Sequence, residues 1–278
     1  SNDGPTAMQR DEAVYGDVQF LTGSPHRRAV LAALCAEPAR PSELCEDIDA
    51  TRTTIQRILA GFRERQWVVK HDGDYRATVT GRLVCKQYEA LHEEVTRAQR
   101  FGPLAAHLGP VADDIPVSAL ESGRLTVSED GSPLAVLSRF TEWLEGVEGE
   151  MYAVSPVVAQ PFNDIGAELL SGDTRIEFVI DSEVLEQSKA NYESALEFGL
   201  NHDRMATYVH ETPLDIGVAF DDERCCVVAY DDDSNLKAML EAGEGDLYEW
   251  TTALFERYRE RAVPLTEVIQ VEERAEGR

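Results

Sequence analysis

The chain has 278 residues, of which 43% are hydrophobic and 8% aromatic, a composition typical of a folded protein with a core. Aspartate and glutamate number 52 against 26 lysines and arginines, so the formal net charge is −26. No apolar run approaches the roughly 20 residues that a membrane span needs, and the opening SNDGPTAMQRDEA lacks the pattern of a secretion signal. We expect a cytoplasmic protein with no membrane partner, not a membrane, fibrous or disulfide-rich secreted one.

The charge is distributed unevenly. Residues 1–101 carry a net charge of −1 and residues 102–278 carry −25, yet residues 51–86 hold eight basic and three acidic side chains. A basic segment in so acidic a chain predicts a polyanionic partner. Only four of the basic residues are lysine. Acid excess with scarce lysine is typical of proteins of halophilic archaea, although an ordinary acidic protein remains the alternative.

A helix-turn-helix is predicted near the start. AVLAALCA, residues 29–36, has helical apolar spacing and follows Ser24 and Pro25, which favour a helix start. SELCEDI, capped by Ser42, predicts a second helix, and TRTTIQRILAGFRERQW, capped by Thr51, a third. The third helix has an apolar stripe opposite a face of Arg, Thr and Gln, which is the pattern of a DNA-recognition helix.

A β-hairpin is predicted directly after this helix. In WVVKHDGDYRATV two β-prone runs flank Asp72–Gly73, a strong turn signal. A basic hairpin in this place indicates the wing of a winged helix. The alternative for the whole block is a small helical module that binds protein.

Residues 80–101 predict one long helix with Thr80 as its cap. Apolar residues at alternating spacings of four and three form a seam on it: Val84, Tyr88, Leu91, Val95 and Ala98. Such a seam predicts that the helix joins two copies into a homodimer. Packing against the second domain within one chain is the alternative.

The rest of the chain predicts a connector and an α/β domain. Residues 102–132 are rich in Gly and Pro, with a short strand at RLTV. From residue 133 strand and helix patterns alternate, including one long helix at SEVLEQSKANYESALEFGL and a last helix at DLYEWTTALFERYRERAVPL. These patterns predict a mixed sheet covered by helices.

Candidate DNA-binding residues lie on the third helix, on the hairpin and at the start of the first helix. Arginine can fork onto guanine, glutamine can bridge adenine, and the threonine methyl suits thymine, while basic side chains elsewhere can contact phosphate. The candidates are Arg52, Thr53, Thr54, Gln56, Arg57, Lys70, His71, Arg76, His26 and Arg27.

Candidate ligand-binding residues follow the predicted strands of the second domain, because ligands of α/β sheets usually sit beyond strand ends. Arg204, just before a strand, could pair with an anionic metabolite. The candidates are Ser155, Pro156, Asp181, Arg204, His210 and Tyr230.

Catalytic and metal-binding motifs are missing from the sequence. There is no G-x-S-x-G, P-loop or H-E-x-x-H motif, and Cys35, Cys45, Cys85, Cys225 and Cys226 form no zinc signature. We therefore expect no enzyme activity, no catalytic residue, no metal and no cofactor. The vicinal pair Cys225–Cys226 lies in the apolar run RCCVVAY, which indicates a buried strand, with a redox sensor as the alternative.

The sequence resembles archaeal winged helix-turn-helix transcriptional regulators that are common in halophiles. The first-domain stretches VQFLTGSPHRRAVLAAL, RPSELCEDIDATRTTIQRILAGFRERQWV and YRATVTGRLV carry this resemblance. IEFVID, DIGVAF and LFERYRERAVPL resemble the C-terminal sensor domain of methanogenesis-regulatory proteins, which is related to TrmB-like regulators. The resemblance implies a sensor role and a sheet distantly related to phospholipase D folds. The H-x-K-x-x-x-x-D motif of active phospholipases is absent, so it implies no catalysis.

We therefore predict an α+β protein of two domains: a winged helix-turn-helix over 14–79, a linker and dimerisation helix over 80–101, a connector over 102–132, and a mixed α/β effector-sensing domain over 133–266. Its function is expected to be that of a homodimeric regulator that binds double-stranded operator DNA under control of a small ligand. The alternatives are an α/β enzyme with a protein-docking winged helix, and a thiol redox-sensing regulator.

Overall fold

The computed structural model describes residues 7–276, and the chain divides into two compact units between Ala98 and Gln99. The first unit is mainly helical. Its elements in chain order are α1 (Ala7–Thr22), α2 (Pro25–Ala36), α3 (Pro41–Ile48), α4 (Arg52–Glu64), β1 (Val68–His71), β2 (Asp74–Ala77) and α5 (Val79–His107), of which α5 continues past the boundary.

The helix-turn-helix consists of α3 and α4, as predicted. Asp49 takes a left-handed conformation between them, with φ of 47°, and Thr51 caps α4 by accepting a hydrogen bond from the Thr54 amide at 3.3 Å. The core of the unit is formed by one face of each helix and by the hairpin: Leu21, Val30, Leu31, Leu34, Leu44, Ile55, Ile58, Leu59, Phe62, Trp67, Val68, Ala77 and Cys85.

The predicted hairpin is β1 paired antiparallel with β2, with Val68 opposite Ala77 and His71 opposite Asp74. Asp72 and Gly73 both have positive φ, 50° and 96°, which a tight two-residue hairpin turn requires. Ala39 adds a bridge to Tyr75, so the hairpin is tied to the segment before α3.

Two helix caps differ from the sequence prediction. Ser24 is the N-cap of α2 as predicted, although its side chain makes no cap hydrogen bond. The cap of α3 is Arg40, not Ser42, because Pro41 fits the first helical position and Glu43 accepts a hydrogen bond from the Arg40 amide at 2.6 Å. At the start of α5, Thr78 and not Thr80 accepts the hydrogen bond of the Gly81 amide, at 3.1 Å.

Helix α5 is longer than predicted. The sequence prediction ends it at Phe101 because Pro103 follows, but the helix includes Pro103 and continues to His107. Phe101, Leu104 and Leu108 are buried in the core of the second unit. Burial of three large apolar side chains offsets the backbone hydrogen bond that proline removes.

The second unit contains the remaining elements. They are the 3₁₀ turn Pro110–Ala112, α6 (Val117–Ser122), β3 (Arg124–Val127), α7 (Ala135–Glu145), β4 (Glu150–Val154), α8 (Gln160–Ser171), β5 (Arg175–Asp181), α9 (Ser182–Asn191), α10 (Glu193–Leu200), β6 (Met205–His210), β7 (Gly217–Phe220), β8 (Cys225–Tyr230), β9 (Leu236–Ala242), α11 (Asp246–Arg259), β10 (Ala262–Pro264) and α12 (Leu265–Glu276).

Within the described range of the second unit, eight strands form one mixed sheet in the order β10-β6-β5-β4-β7-β8-β9-β3. Strand β5 runs parallel to both β4 and β6, and the other neighbours are antiparallel. The mixed α/β architecture predicted from the alternating patterns is thus confirmed. The short strand predicted at RLTV is the edge strand β3, which pairs with β9.

Helices cover both faces of this sheet. The core on one face contains Phe101 and Leu104 of α5, the following Leu108, and Leu254 and Phe255 of α11. The core on the other face contains side chains of α7 and α8, among them Val136, Trp143, Leu144, Ile165 and Leu170.

Two helix predictions in this unit need correction. The long helix predicted over SEVLEQSKANYESALEFGL is two helices, α9 and α10, because Tyr192 leaves helical geometry with φ of −137°. The last predicted helix ends at Arg259, and its final residues form β10, which pairs with β6 at the other edge of the sheet. Leu265, buried at the start of α12, anchors the chain beyond that edge strand.

Candidate nucleic-acid interface and ligand cavity

Helix α4 presents a polar face to solvent. Ile55, Ile58, Leu59 and Phe62 are buried, so helical periodicity directs the intervening positions outward. The exposed predicted residues are Arg52, Thr53, Gln56 and Arg57. Within residues 7–276 none of these four side chains makes a hydrogen bond or ion pair, so their polar groups are available to a partner.

Thr54 differs from its neighbours on this helix. Its side chain is half-buried, and its hydroxyl lies 2.9 Å from that of Thr51 at the helix cap. The structure therefore gives Thr54 a local structural partner. Arg63 extends the exposed face, where the helical pattern of the sequence puts it, although it is not among the candidate DNA-binding residues. Its spacing of seven residues from Gln56, two helical turns, is the sequence signal that identifies it.

The hairpin carries three predicted residues with different surroundings. The Lys70 ammonium lies 5.5 Å from the ring centroid of Tyr75, and His71 Nδ1 lies 3.1 Å from the Asp72 carboxylate. Arg76 is exposed and makes no ion pair or hydrogen bond with the part of the chain that the structure describes. Arg76 is therefore the most available cation on the wing.

At the start of α2, His26 and Arg27 are half-buried. Arg27 donates a hydrogen bond to the Phe20 carbonyl, and its guanidinium lies 4.2 Å from the Phe20 ring centroid. Burial, together with the nearby positive charges of Arg57 and Arg65, lowers the pKa of Arg27. Arg57 and Arg65 thus lie near Arg27, and Arg65 is itself paired with the Asp17 carboxylate at 2.7 Å.

A cavity of about 340 Å³ lies in the second unit, against the sheet face covered by α7 and α8. Strands β4 to β8 supply its floor, and α7, α8 and α10 its walls. Most of the lining is apolar, including Phe140, Leu144, Met151, Val157, Phe162, Ile165, Leu169, Leu170, Ile176, Phe178, Phe198 and Met205.

Two predicted ligand-binding residues, Ser155 and Tyr230, line this cavity. Tyr230 is buried, and a Cβ at Gly217 would lie 2.6 Å from its hydroxyl oxygen, so glycine gives the ring its space. Burial raises the pKa of Tyr230, which also interacts with Ser155. Ser155 donates a hydrogen bond to the Val157 carbonyl at 2.8 Å. Tyr230 therefore stays protonated and can donate a hydrogen bond.

Asn163 lines the same cavity and was missed by the sequence reasoning. Its amide nitrogen is buried and has no hydrogen-bond partner among residues 7–276. A buried donor without an acceptor is costly. No motif in the sequence marks it, because Asn163 is a single polar residue in the first turn of α8.

The other predicted ligand residues do not line the cavity. Pro156 lies between two lining residues, and Asp181 accepts hydrogen bonds from the amides of Val184 and Leu214. Arg204 donates to the Leu170 carbonyl and pairs with Asp173 at 3.3 Å. His210 is buried, with Thr212 and the Tyr258 ring as its neighbours. Of this predicted set, Ser155 and Tyr230 line the cavity, whereas Asp181 and His210 are neighbours on β5 and β6 away from it.

Cys225 and Cys226 are buried in β8, as predicted, and they point to opposite faces of the sheet. Burial raises the pKa of Cys225 to about 11 and raises that of Cys226 as well. Because the thiolate is the reactive form, these surroundings disfavour the redox-sensing alternative.

Among residues 7–276, no group of three or more His, Cys, Asp or Glu side chains is arranged to hold a metal ion. No helix in that range is both long and apolar enough to cross a membrane.

Known families match both units. The HVO_A0261 N-terminal domain family matches residues 15–100, and the middle domain family of the methanogenesis regulatory protein FilR1 matches residues 133–261. No curated protein matches the chain. The chain therefore combines two domains of known families, a winged helix and a sheet domain. Its two parts are of the HVO_A0261 and FilR1 types, which confirms the resemblance stated from the sequence.

Solved structures give looser likenesses. The archaeal chromatin protein TrmBL2, described as showing a novel mode of DNA binding, superposes with a TM-score of 0.41 at 14% identity over 86% of this chain and 92% of its own. Phosphatidylserine synthase of Haemophilus influenzae Rd KW20 has a TM-score of 0.39 at 12% identity, over 51% of this chain and 39% of its own. Wild-type ZitR of Lactococcus lactis has a TM-score of 0.25 at 12% identity, over 51% of this chain and 96% of its own.

Proposed function

We propose that this protein is a homodimeric regulator that binds specific sequences in double-stranded operator DNA and whose DNA affinity is set by a small effector in the second unit. The observation that carries the proposal is the polar face of α4. On a winged helix, Arg52, Gln56 and Arg57 are exposed and free of partners in the described part of the chain.

The chemistry of this face suits the major groove. A guanidinium can donate two hydrogen bonds to guanine, a carboxamide can pair with adenine, and the Thr53 methyl can contact the thymine methyl. On the hairpin, Arg76 can contact phosphate or the minor groove, with Lys70 and His71 beside it. The −25 charge of residues 102–278 repels DNA, which favours contact through the basic segment.

The dimer is proposed to form through α5, with a narrower contact than the sequence predicts. Val84 and Tyr88 pack against the core of the first unit and are partly covered by it. Leu91 and Val95 remain 54% and 49% exposed, one helical turn apart. Two recognition helices at a fixed separation would read a two-fold symmetric operator.

The effector is proposed to bind in the cavity lined by Ser155, Asn163 and Tyr230. To regulate, it must bind one dimer geometry more tightly than another, because a ligand shifts an equilibrium only by its differential affinity. Recovery of the bound effector chemically unchanged would separate this function from the enzyme alternative.

The test is fluorescence anisotropy of the full chain with DNA from upstream of its own gene, in about 1–3 M KCl to screen the acidic surface. We expect Arg52→Ala/Arg57→Ala to weaken specific binding at least about tenfold, because each good base contact contributes about 1–3 kcal/mol. The control removes two exposed arginines of the second unit, Arg175→Ala/Arg261→Ala, and should bind like wild type. Equal affinity of both variants, or a folded wild type that binds no DNA, would contradict the proposal.

A further inference from the structure

We infer that the effector is a small, uncharged, mainly apolar molecule that carries one hydrogen-bond acceptor, and that it enters between α8 and α10. This inference rests on the proposed function, because it names the chemical class of ligand for the proposed effector cavity. It differs from the anionic metabolite expected from the sequence.

The walls disfavour an anionic ligand. Asp164 is the one charged side chain that lines the cavity, among the residues described, and it accepts a hydrogen bond from Gln160 at 2.6 Å. No lysine, arginine or histidine lines it within the same range. Arg204, the predicted anion partner, pairs with Asp173 instead. An anion would therefore lose its hydration without gaining a counterion, which is costly in an apolar site.

The polar groups that line the cavity favour a ligand with a hydrogen-bond acceptor. The Asn163 amide nitrogen has no acceptor within the described part of the chain, and Tyr230 carries a protonated hydroxyl. Ser155 is already engaged with Val157. A ligand carbonyl or ether oxygen near Asn163 would satisfy the buried donor, while apolar groups of the ligand fill the space lined by aromatic and aliphatic side chains.

The exposed lining residues show where the cavity opens to solvent. Gln160 and Asp164, on the first turns of α8, and Ser194 and Phe198, on α10, line the cavity and are exposed. Phe198 is 43% exposed although its ring is large and apolar. The deeper lining residues, such as Ile165, are buried. The route from solvent therefore passes between these two helices.

The volume of the cavity limits the size of the ligand. A volume of about 340 Å³ lies at the lower end of the roughly 300–1,000 Å³ usual for ligand pockets. This space suits a compact molecule with one or two rings or a short chain, and it is too small for a dinucleotide.

The experiment uses the full chain and the uncharged fluorescent probe N-phenyl-1-naphthylamine, displaced by three compounds of nearly equal size. Acetophenone is uncharged with an acceptor, ethylbenzene is uncharged without one, and benzoate is anionic. We expect acetophenone to displace the probe about fivefold better than ethylbenzene, the gain of about one hydrogen bond, and benzoate to be the weakest. Displacement that is strongest with benzoate, or equal for all three, would overturn the inference.

Variants locate the binding. A Cβ at Gly166, a lining residue of α8, meets no atom within 4 Å, so Gly166→Leu starts a bulky side chain at the cavity wall from an open position. We expect it to weaken probe binding at least tenfold. Gly131→Leu, also with open space but exposed outside the cavity, is the matched control and should leave binding unchanged. Equal binding by both variants would place the probe elsewhere and refute the site.

A second variant tests the acceptor. Asn163→Leu removes the amide donor, and it should abolish the preference for acetophenone over ethylbenzene while keeping the affinity for ethylbenzene. If this variant fails to fold, Tyr230→Phe provides the same comparison for the hydroxyl. Retention of the preference in the folded variant would contradict the inference.

The anisotropy measurement separates the two proposals. If the protein binds DNA but its probe binding is absent or insensitive to Gly166→Leu, the proposed class of effector is wrong and the DNA-binding function stands. Probe binding with the expected preference in a protein that binds no DNA would support the ligand class and overturn the proposed function.

Discussion

Asp181 is a buried carboxylate with both oxygens bound to backbone amides. Oδ1 accepts from the Val184 amide at 2.8 Å and caps α9, while Oδ2 accepts from the Leu214 amide at 3.0 Å. The carboxylate thus joins the end of β5 to the segment before β7. This is a structural role, and it explains why a polar residue after a strand need not face a ligand.

We expect Asp181→Ala to lower the free energy of unfolding by at least about 2 kcal/mol, since each buried amide left without an acceptor costs about 1–3 kcal/mol. Urea denaturation followed by circular dichroism measures this. Asp173→Ala, an exposed carboxylate paired with Arg204, is the control and should change stability by less than about 0.5 kcal/mol. Loss of probe binding at unchanged stability in Asp181→Ala would instead restore the predicted ligand role.

Titration of the buried Cys225 thiol lowers the stability of the second unit at alkaline pH. Burial raises the pKa of its thiol to about 11, above the value of about 8.5 in an unfolded chain. Because the pKa is raised in the folded chain, the neutral thiol contributes its full stabilisation at any pH below its pKa in the unfolded chain. This contribution is lost as the pH rises through the pKa of the folded chain. We expect the free energy of unfolding to fall between about pH 9 and pH 11.

Cys225→Val isolates this effect, because valine is similar in size and does not titrate. The variant should show a shallower fall over the same pH range in urea titrations. Parallel pH curves for the variant and wild type would show that other groups cause the loss of stability.

Single side chains were predicted correctly where local periodicity decides their position. Ile55, Ile58 and Leu59 are buried, and Arg52 and Gln56 are exposed, because the helical period fixes both faces of α4. The pairing of surface groups could not be predicted in this way. His71 with Asp72 and Arg27 with Phe20 depend on rotamers and on neighbours from other elements.

Helix α5 combines two environments along one face. Its early apolar residues Val84 and Tyr88 pack within the first unit, whereas Leu91 and Val95 are exposed. A seam read from sequence shows which residues share a face but not which of them are covered by the chain itself. The prediction of a dimer therefore rests on the later part of the helix.

We expect Val95→Glu to shift the protein toward monomer, because a carboxylate in an apolar contact must be desolvated without a partner. Sedimentation velocity in about 2 M KCl measures the shift, with screening that limits general charge repulsion. Thr96→Glu adds the same charge at the next exposed position, which faces away from the seam, and should leave the association unchanged. A dimer that survives Val95→Glu at micromolar concentration would contradict the proposed contact.

The elements of the second unit were predicted better than their ends. The strand patterns at RLTV and RIEFVID gave β3 and β5 because their apolar alternation is strong. The end of α5 and the strand β10 were missed because proline normally ends both kinds of element. Burial of Leu104 and pairing of β10 with β6 at a sheet edge outweigh that local rule.

The full chain carries a net charge of −26, nearly all of it after residue 101. Like charges at this density repel one another and oppose the compact state unless salt screens them. The Debye length falls from about 10 Å at 0.1 M salt to about 3 Å at 1 M. Stability is therefore expected to depend on salt through the second unit.

We expect the melting temperature to rise by more than about 5 °C between 0.1 M and 2 M KCl, roughly 2 kcal/mol for a unit of this size. Differential scanning calorimetry measures this, with sucrose at matched osmolality as the control for solvent exclusion. A rise of equal size in sucrose, or none in KCl, would show that charge screening is not the cause.

The cavity is the part of the site that the sequence reveals least. Its lining comes from five strands and three helices, with residues as distant along the chain as Phe140 and Tyr230. Each of these residues alone has the pattern of an ordinary core residue. Only the packing of α7, α8 and α10 over the sheet leaves the space between them unfilled.

The placement of two adjacent thiols on β8 has a practical consequence. Strand alternation directs Cys225 toward the layer that contains α11 and Cys226 toward the layer that contains α7 and α8. A short pulse of alkylating reagent during refolding can reach each sulfur only until its own layer has closed over it. Mass spectrometry of this one dipeptide would therefore record, in a single experiment, the order in which the two sides of the sheet acquire their helices.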